Sequence, residues 1–65
     1  MTSKGLYDYA AIIIKKYPGL RKEVFDILDM AISEIRAGES ENHECELAYD
    51  YIKQLVETYI KENNV

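Results

Sequence analysis

This 65-residue chain has no tryptophan, and only one cysteine, one histidine and one proline. A lone Cys45 makes no internal disulfide, and one histidine with one cysteine falls short of a closed four-ligand zinc site. Three glycines form no phosphate-cradling loop, and no Ser-His-Asp set or zinc-protease motif occurs. The spacings His43-x-Cys45 and His43-x-x-Glu46 are the nearest approach to metal ligands. On a helix, residues 43 and 45 point about 200° apart, so they serve neither as joint ligands nor as a nucleophile–base pair, which needs hydrogen-bond reach. The expectation is no catalytic residue, no metal, no cofactor and no enzyme activity. Long apolar runs are also absent. The longest, Ala10 to Ile14, is five residues, against roughly 20 for a membrane span. The start shows no basic segment followed by an apolar stretch and a cleavage site, so no signal peptide is expected. A free thiol fits a reducing compartment, and the expected location is the cytoplasm.

Basic residues are scarce in most of the chain. Up to residue 22, Lys4, Lys15, Lys16, Arg21 and Lys22 face Asp8 alone, a balance of +4, whereas residues 23–65 hold three bases and eleven acids, a balance of −8. Such a layout bears on solubility and partner choice rather than on fold. It suits two copies steering together, or one copy docking on a basic partner.

Apolar residues make up 48% of the chain, which argues against disorder. A domain of this size buries only about 60% of the surface its unfolded chain exposes, so a regular helical core or self-association is the expected source of extra stability. Periodicity of about 100° per residue predicts three helices, near residues 3–16, 19–36 and 40–62. The first is expected to start at Ser3 or Lys4, with Ser3 as a reasonable N-cap, and to bury Leu6, Tyr7, Ala10, Ile13, Ile14 and Tyr17. The Ile12-Ile13-Ile14 run would also suit a strand, but it has no second strand to pair with. Pro18-Gly19 breaks the pattern. The second helix offers Leu20, Val24, Phe25, Ile27, Leu28, Ala31, Ile32 and Ile35 as its buried face, and Gly38 is a good residue to end it. Ser40 is the expected N-cap of the third, with Asn42 as a rival. Its core face is Ala48, Ile52, Leu55, Val56 and Tyr59, with Cys45, Tyr49 and Ile60 at the margins, and Asn63-Asn64 ends it. The fold expected is all-α: one domain over residues 1–65, a three-helix up-down-up bundle unit completed by self-association.

Two features point to function. Residues 38–50 carry Glu39, Glu41, Glu44, Glu46 and Asp50 with no base. Acids there complement the positive end of a helix, but Glu46 and Asp50 form a like-charge pair four residues apart. Farther along the same face, Asp50, Glu57, Lys53 and Lys61 have spacings that allow mutual neutralisation. Separately, Tyr9 and Ile12 fall on the back of the first helix, Met30 on the polar side of the second, and Leu47 and Tyr51 on the flank of the third. Tyrosine is enriched at binding surfaces. These positions divide into a partner-binding set of Glu39, Glu41, Glu44, Glu46, Leu47, Asp50 and Tyr51, and an oligomer-interface set of Tyr9, Ile12 and Met30.

The stretch Glu34-Ile35-Arg36-Ala37-Gly38-Glu39-Ser40-Glu41-Asn42-His43-Glu44, followed by a helix with Leu47, Ile52 and Leu55, resembles small helical proteins encoded in phage and prophage genomes. The resemblance covers about a third of the chain and transfers no residue role. It implies an inhibitor or adaptor that binds a host protein. The leading expectation is therefore an acidic, non-enzymatic interaction protein that docks the start of its third helix on a larger, basic-surfaced protein. Two alternatives are a ligand-sequestering or structural homo-oligomer with its function at subunit interfaces, and a DNA-binding regulator using Lys15, Lys16, Arg21 and Lys22. Glu23, Asp26 and Asp29 would oppose phosphates along the recognition helix of the latter.

Overall fold

The computed structural model describes residues 1–63, and there the chain is all-α. Helix α1 runs Ser3–Lys16, α2 Arg21–Arg36 and α3 Glu41–Asn63, with a single 3-10 turn at Pro18–Leu20 between α1 and α2. Helix α3 is still helical at Asn63, and the expected stop at Asn63-Asn64 falls at the edge of the described residues, with Asn64 outside them.

Local chemistry sets each boundary. Thr2, rather than Ser3, caps α1, its Oγ1 accepting from the Gly5 N–H at 3.2 Å. Ser3 is already helical, and its own N–H is donated to α3 instead. Pro18 cannot continue the α-helical hydrogen bonding, so the chain tightens into the 3-10 turn, with the Leu20 N–H reaching the Tyr17 carbonyl at 2.9 Å. The second helix accordingly starts at Arg21, later than the sequence pattern suggests. Gly38 ends α2 at φ +107°. There the Gly38 N–H bonds the Ile35 carbonyl at 3.1 Å and the Glu39 N–H bonds the Glu34 carbonyl at 3.0 Å, the paired bonds of a Schellman cap. Ser40 caps α3 by accepting from the His43 N–H at 3.3 Å.

The core holds Leu6, Ala10 and Ile13 of α1, Leu20 of the turn, Val24, Leu28 and Ala31 of α2, and Cys45, Ala48 and Ile52 of α3. Fully burying a side chain such as Ile52 or Val24 contributes about 1.5–3 kcal/mol. Contacts fix the helix directions. Ser3 meets Cys45, Tyr9 meets Tyr49 and Tyr17 meets Tyr59, so each forward step along α1 is a forward step along α3. The short Gly38–Ser40 connection turns α2 back against α3. The molecule is elongated, 42 × 18 × 17 Å, and α3, at about 1.5 Å per residue, spans most of its long axis.

Four residues depart from the expected core. Tyr7 and Phe25 are exposed, and so is Ile60, while Cys45 is fully buried at the centre rather than at a margin. Tyr9, expected on the back of α1, packs against the core with its ring 4.6 Å from that of Tyr49. The reason is a rotation of α1. Tyr7 and Tyr9 flank the Leu6–Ala10–Ile13 line on opposite sides, and α1 leans more on α3 than on α2, which covers Tyr9 and uncovers Tyr7. Arg21 lies over the exposed Phe25 ring, its guanidinium 5.5 Å from the ring centroid. Leu55, Val56 and Tyr59 are half-buried, packed at the edge of the core.

Candidate functional site

The residues proposed for docking do not form one surface, because α3 presents them on different sides. Glu41 turns toward α1: its Oε2 accepts from the Ser3 N–H at 2.9 Å. Hydrogen bonding from the Ser3 backbone and side chain holds the Glu41 carboxyl below the usual glutamate range. Glu46 meets the α-amino group of Met1 at 3.1 Å, and Asn42 Oδ1 lies 3.5 Å from that group. Glu46 is therefore answered within the chain, contrary to the sequence expectation. Asp50 stands about 200° from the buried Ala48 and is exposed. Glu39 sits in the connection, exposed, its N–H committed to the α2 cap. The expected pairing of Asp50 and Glu57 with Lys53 and Lys61 does not form. Among the described residues the ion pairs are Met1–Glu46 and Lys22–Asp26.

Glu44, Leu47 and Tyr51 remain, and α2 brings a new neighbour to them. They line a groove of about 710 Å³ between α2 and α3, on the side that α1 does not cover. Opposite them stand Ile27, Met30, Ala31 and Glu34, and Ala48, Gln54, Leu55 and Thr58 complete the wall. Met30, Leu47 and Tyr51 expose 68%, 40% and 57% of their surface, so a continuous apolar strip faces water. Met30, assigned from sequence to an oligomer interface, belongs to the same surface as Leu47 and Tyr51. Ile12, from that same set, stands alone on the outside of α1 at 64% exposure, and Tyr9 is occupied by Tyr49.

A smaller hollow of about 340 Å³ continues the groove toward the 3-10 turn. It shares Leu55 and Thr58 with the groove and adds Gly19, Leu20, Glu23, Tyr59, Glu62 and Asn63. Glutamates stand at both ends, Glu34 with Glu44 and Glu23 with Glu62, and among the described residues no Lys or Arg lines either hollow.

Sequence reasoning missed Ile27, Ala31, Glu34, Gln54, Leu55 and Thr58 as groove residues. The signal was present in the turn. Positions about equally far from the Gly38–Ser40 connection come to the same level of α2 and α3, which brings Met30 near the level of Leu47 and Ala48 and Glu34 to that of Glu44.

Elsewhere the chemistry is sparse. His43 is exposed, whereas the Cys45 thiol is fully buried with its Sγ 3.9 Å from Ser3 Oγ. Among the described residues no group of three or more His, Cys, Asp or Glu is placed to hold a metal ion, and no helix is long and apolar enough to cross a membrane. At the basic junction, Lys22 is engaged by Asp26 at 3.0 Å, a hydrogen bond that raises its pKa. Arg21 lies over Phe25 and Lys16 near the Tyr17 ring. Comparison with protein-family models, curated proteins and solved structures finds no match.

Proposed function

We propose that this chain is a non-enzymatic interaction protein that engages a larger protein through the α2–α3 groove. The observation that carries the reading is the convergence of Met30, Leu47 and Tyr51, three large and largely exposed side chains from two helices, on one continuous strip. Scattered apolar residues on a surface are ordinary, but a contiguous apolar groove rimmed by polar groups marks a docking face. Acidic residues keep a role at the rim, with Glu44 and Glu34 in place of the broader cluster from Glu39 to Asp50.

The test compares two double variants in partner capture from a lysate. L47S/Y51S removes the apolar strip, and E46K/D50K reverses charge on the outer side of α3. Loss of the captured protein with the first variant alone supports the groove. Loss with the second alone returns the contact to the outer acidic face and overturns this reading.

A further inference from the structure

We propose that the occupant of the α2–α3 groove is an amphipathic helix of about five turns, apolar along its middle and carrying Lys or Arg at both ends. The inference rests on the interaction reading above and adds the chemistry of the partner. Its basis is the charge at the groove's two ends: Glu34 and Glu44 at one, Glu23 and Glu62 around the smaller hollow at the other, with a mainly apolar wall along the larger hollow and no Lys or Arg among the described residues that line either.

The geometry selects among occupants. From Glu44 to Glu62 the rise along α3 is about 27 Å, the length of a helix of about 18 residues. An extended peptide laid on this wall would meet side chains and no sheet edge, leaving its backbone N–H and C=O groups unpaired. A helix satisfies those groups internally and presents anchors at i, i+3 or i+4, and i+7. A second copy related by a two-fold axis would place groove on groove. Because both ends are acidic, any such alignment sets glutamate against glutamate. A helix with cationic ends relieves that repulsion at each end.

The probes are three synthetic 18-residue helical peptides titrated into isotope-labelled protein at low and high salt, with affinity and amide shifts read by NMR. One has an apolar stripe with lysines at both ends. The second has the same stripe with glutamates at the ends. The third keeps the lysines and scrambles the stripe. The expected result is binding of the first, with shifts at Met30, Leu47 and Tyr51, an affinity at least about tenfold above the second peptide, and weakening with salt. The quadruple variant E23K/E34K/E44K/E62K should reverse the preference between the first two peptides. Equal binding of the Lys-ended and Glu-ended peptides in the groove would overturn the charge assignment and leave the docking face standing. Failure of all three to shift Met30, Leu47 or Tyr51 would overturn both. A dimer of the protein alone that dissociates on L47S/Y51S would make the second copy the occupant and overturn the proposal.

Discussion

Helix α3 has two flanks built from similar residues, and only one of them is covered. On the flank toward α1, Tyr49 and Tyr59 meet Tyr9 and Tyr17 edge to face, at 4.6 and 5.8 Å between ring centres, and Cys45 is sealed beneath Ser3. On the flank away from α1, Tyr51 and Leu47 stand across a groove from Met30 and Ile27, and no other helix among the described residues lines it. Composition does not separate the two flanks. What separates them is the supply of helices: a three-helix chain covers one side of the α2–α3 pair and leaves the other open. The covered flank packs into the core, and the open flank leaves Leu47, Tyr51 and Met30 exposed.

The largest expected effect tests the covered side. Ile52→Ala removes a fully buried side chain and should cost about 2–5 kcal/mol, a large share of the roughly 3–10 kcal/mol expected for a domain of this length. Urea denaturation followed by circular dichroism measures it, and a cost under about 1 kcal/mol would show that the core is not tightly packed. Gly38→Ala comes next. Its φ of +107° disfavours any side chain, while the added carbon meets nothing within 4 Å, so the cost is purely conformational, about 1–2 kcal/mol. Because this turn sets the register of α2 on α3, NMR shifts should spread through Met30 and Leu47 more than through Tyr9 and Tyr49.

A double-mutant cycle on Tyr9→Ala and Tyr49→Ala isolates the covered ring pair. The expected coupling is about 0.5–1.5 kcal/mol, and zero coupling would make the two flanks equivalent in packing. Burial first, then the charges of Tyr49 and Glu57, raises the Tyr9 pKa, so ultraviolet titration should find one tyrosine ionising above the usual tyrosine range, and Tyr9→Phe should remove that step. The smallest effect concerns Glu41. Its carboxyl is held below its unfolded value, so its contribution is present above the usual glutamate range and fades as pH falls through the folded value. Glu41→Gln should flatten that part of the stability–pH curve, and an unchanged slope would remove the Ser3 contact from the account.

Helix number, turn positions and most of the core were legible because apolar periodicity, Pro18, Gly38 and Ser40 are local signals. The rotation of α1 was not, since Tyr7 and Tyr9 have the same side chain and only the neighbouring helices decide which of them is covered. Proximity in sequence also misled at the acidic stretch. Glu41, Glu44, Glu46 and Asp50 are close along the chain, yet helical geometry sends Glu44 to the groove, Glu41 and Glu46 toward the N-terminal end of α1, and Asp50 outward. Leu47 and Tyr51 were recognised as out of place, but their partner Met30 became visible only through the α2–α3 register.

The contrast between the flanks is tested most directly by measuring folding stability and peptide affinity together on L47S/Y51S. A binding flank predicts a stability change within about 0.5 kcal/mol per site, alongside at least a tenfold loss of affinity for the Lys-ended helical peptide. A large loss of stability with affinity unchanged would contradict it, making Leu47 and Tyr51 part of what holds the fold together.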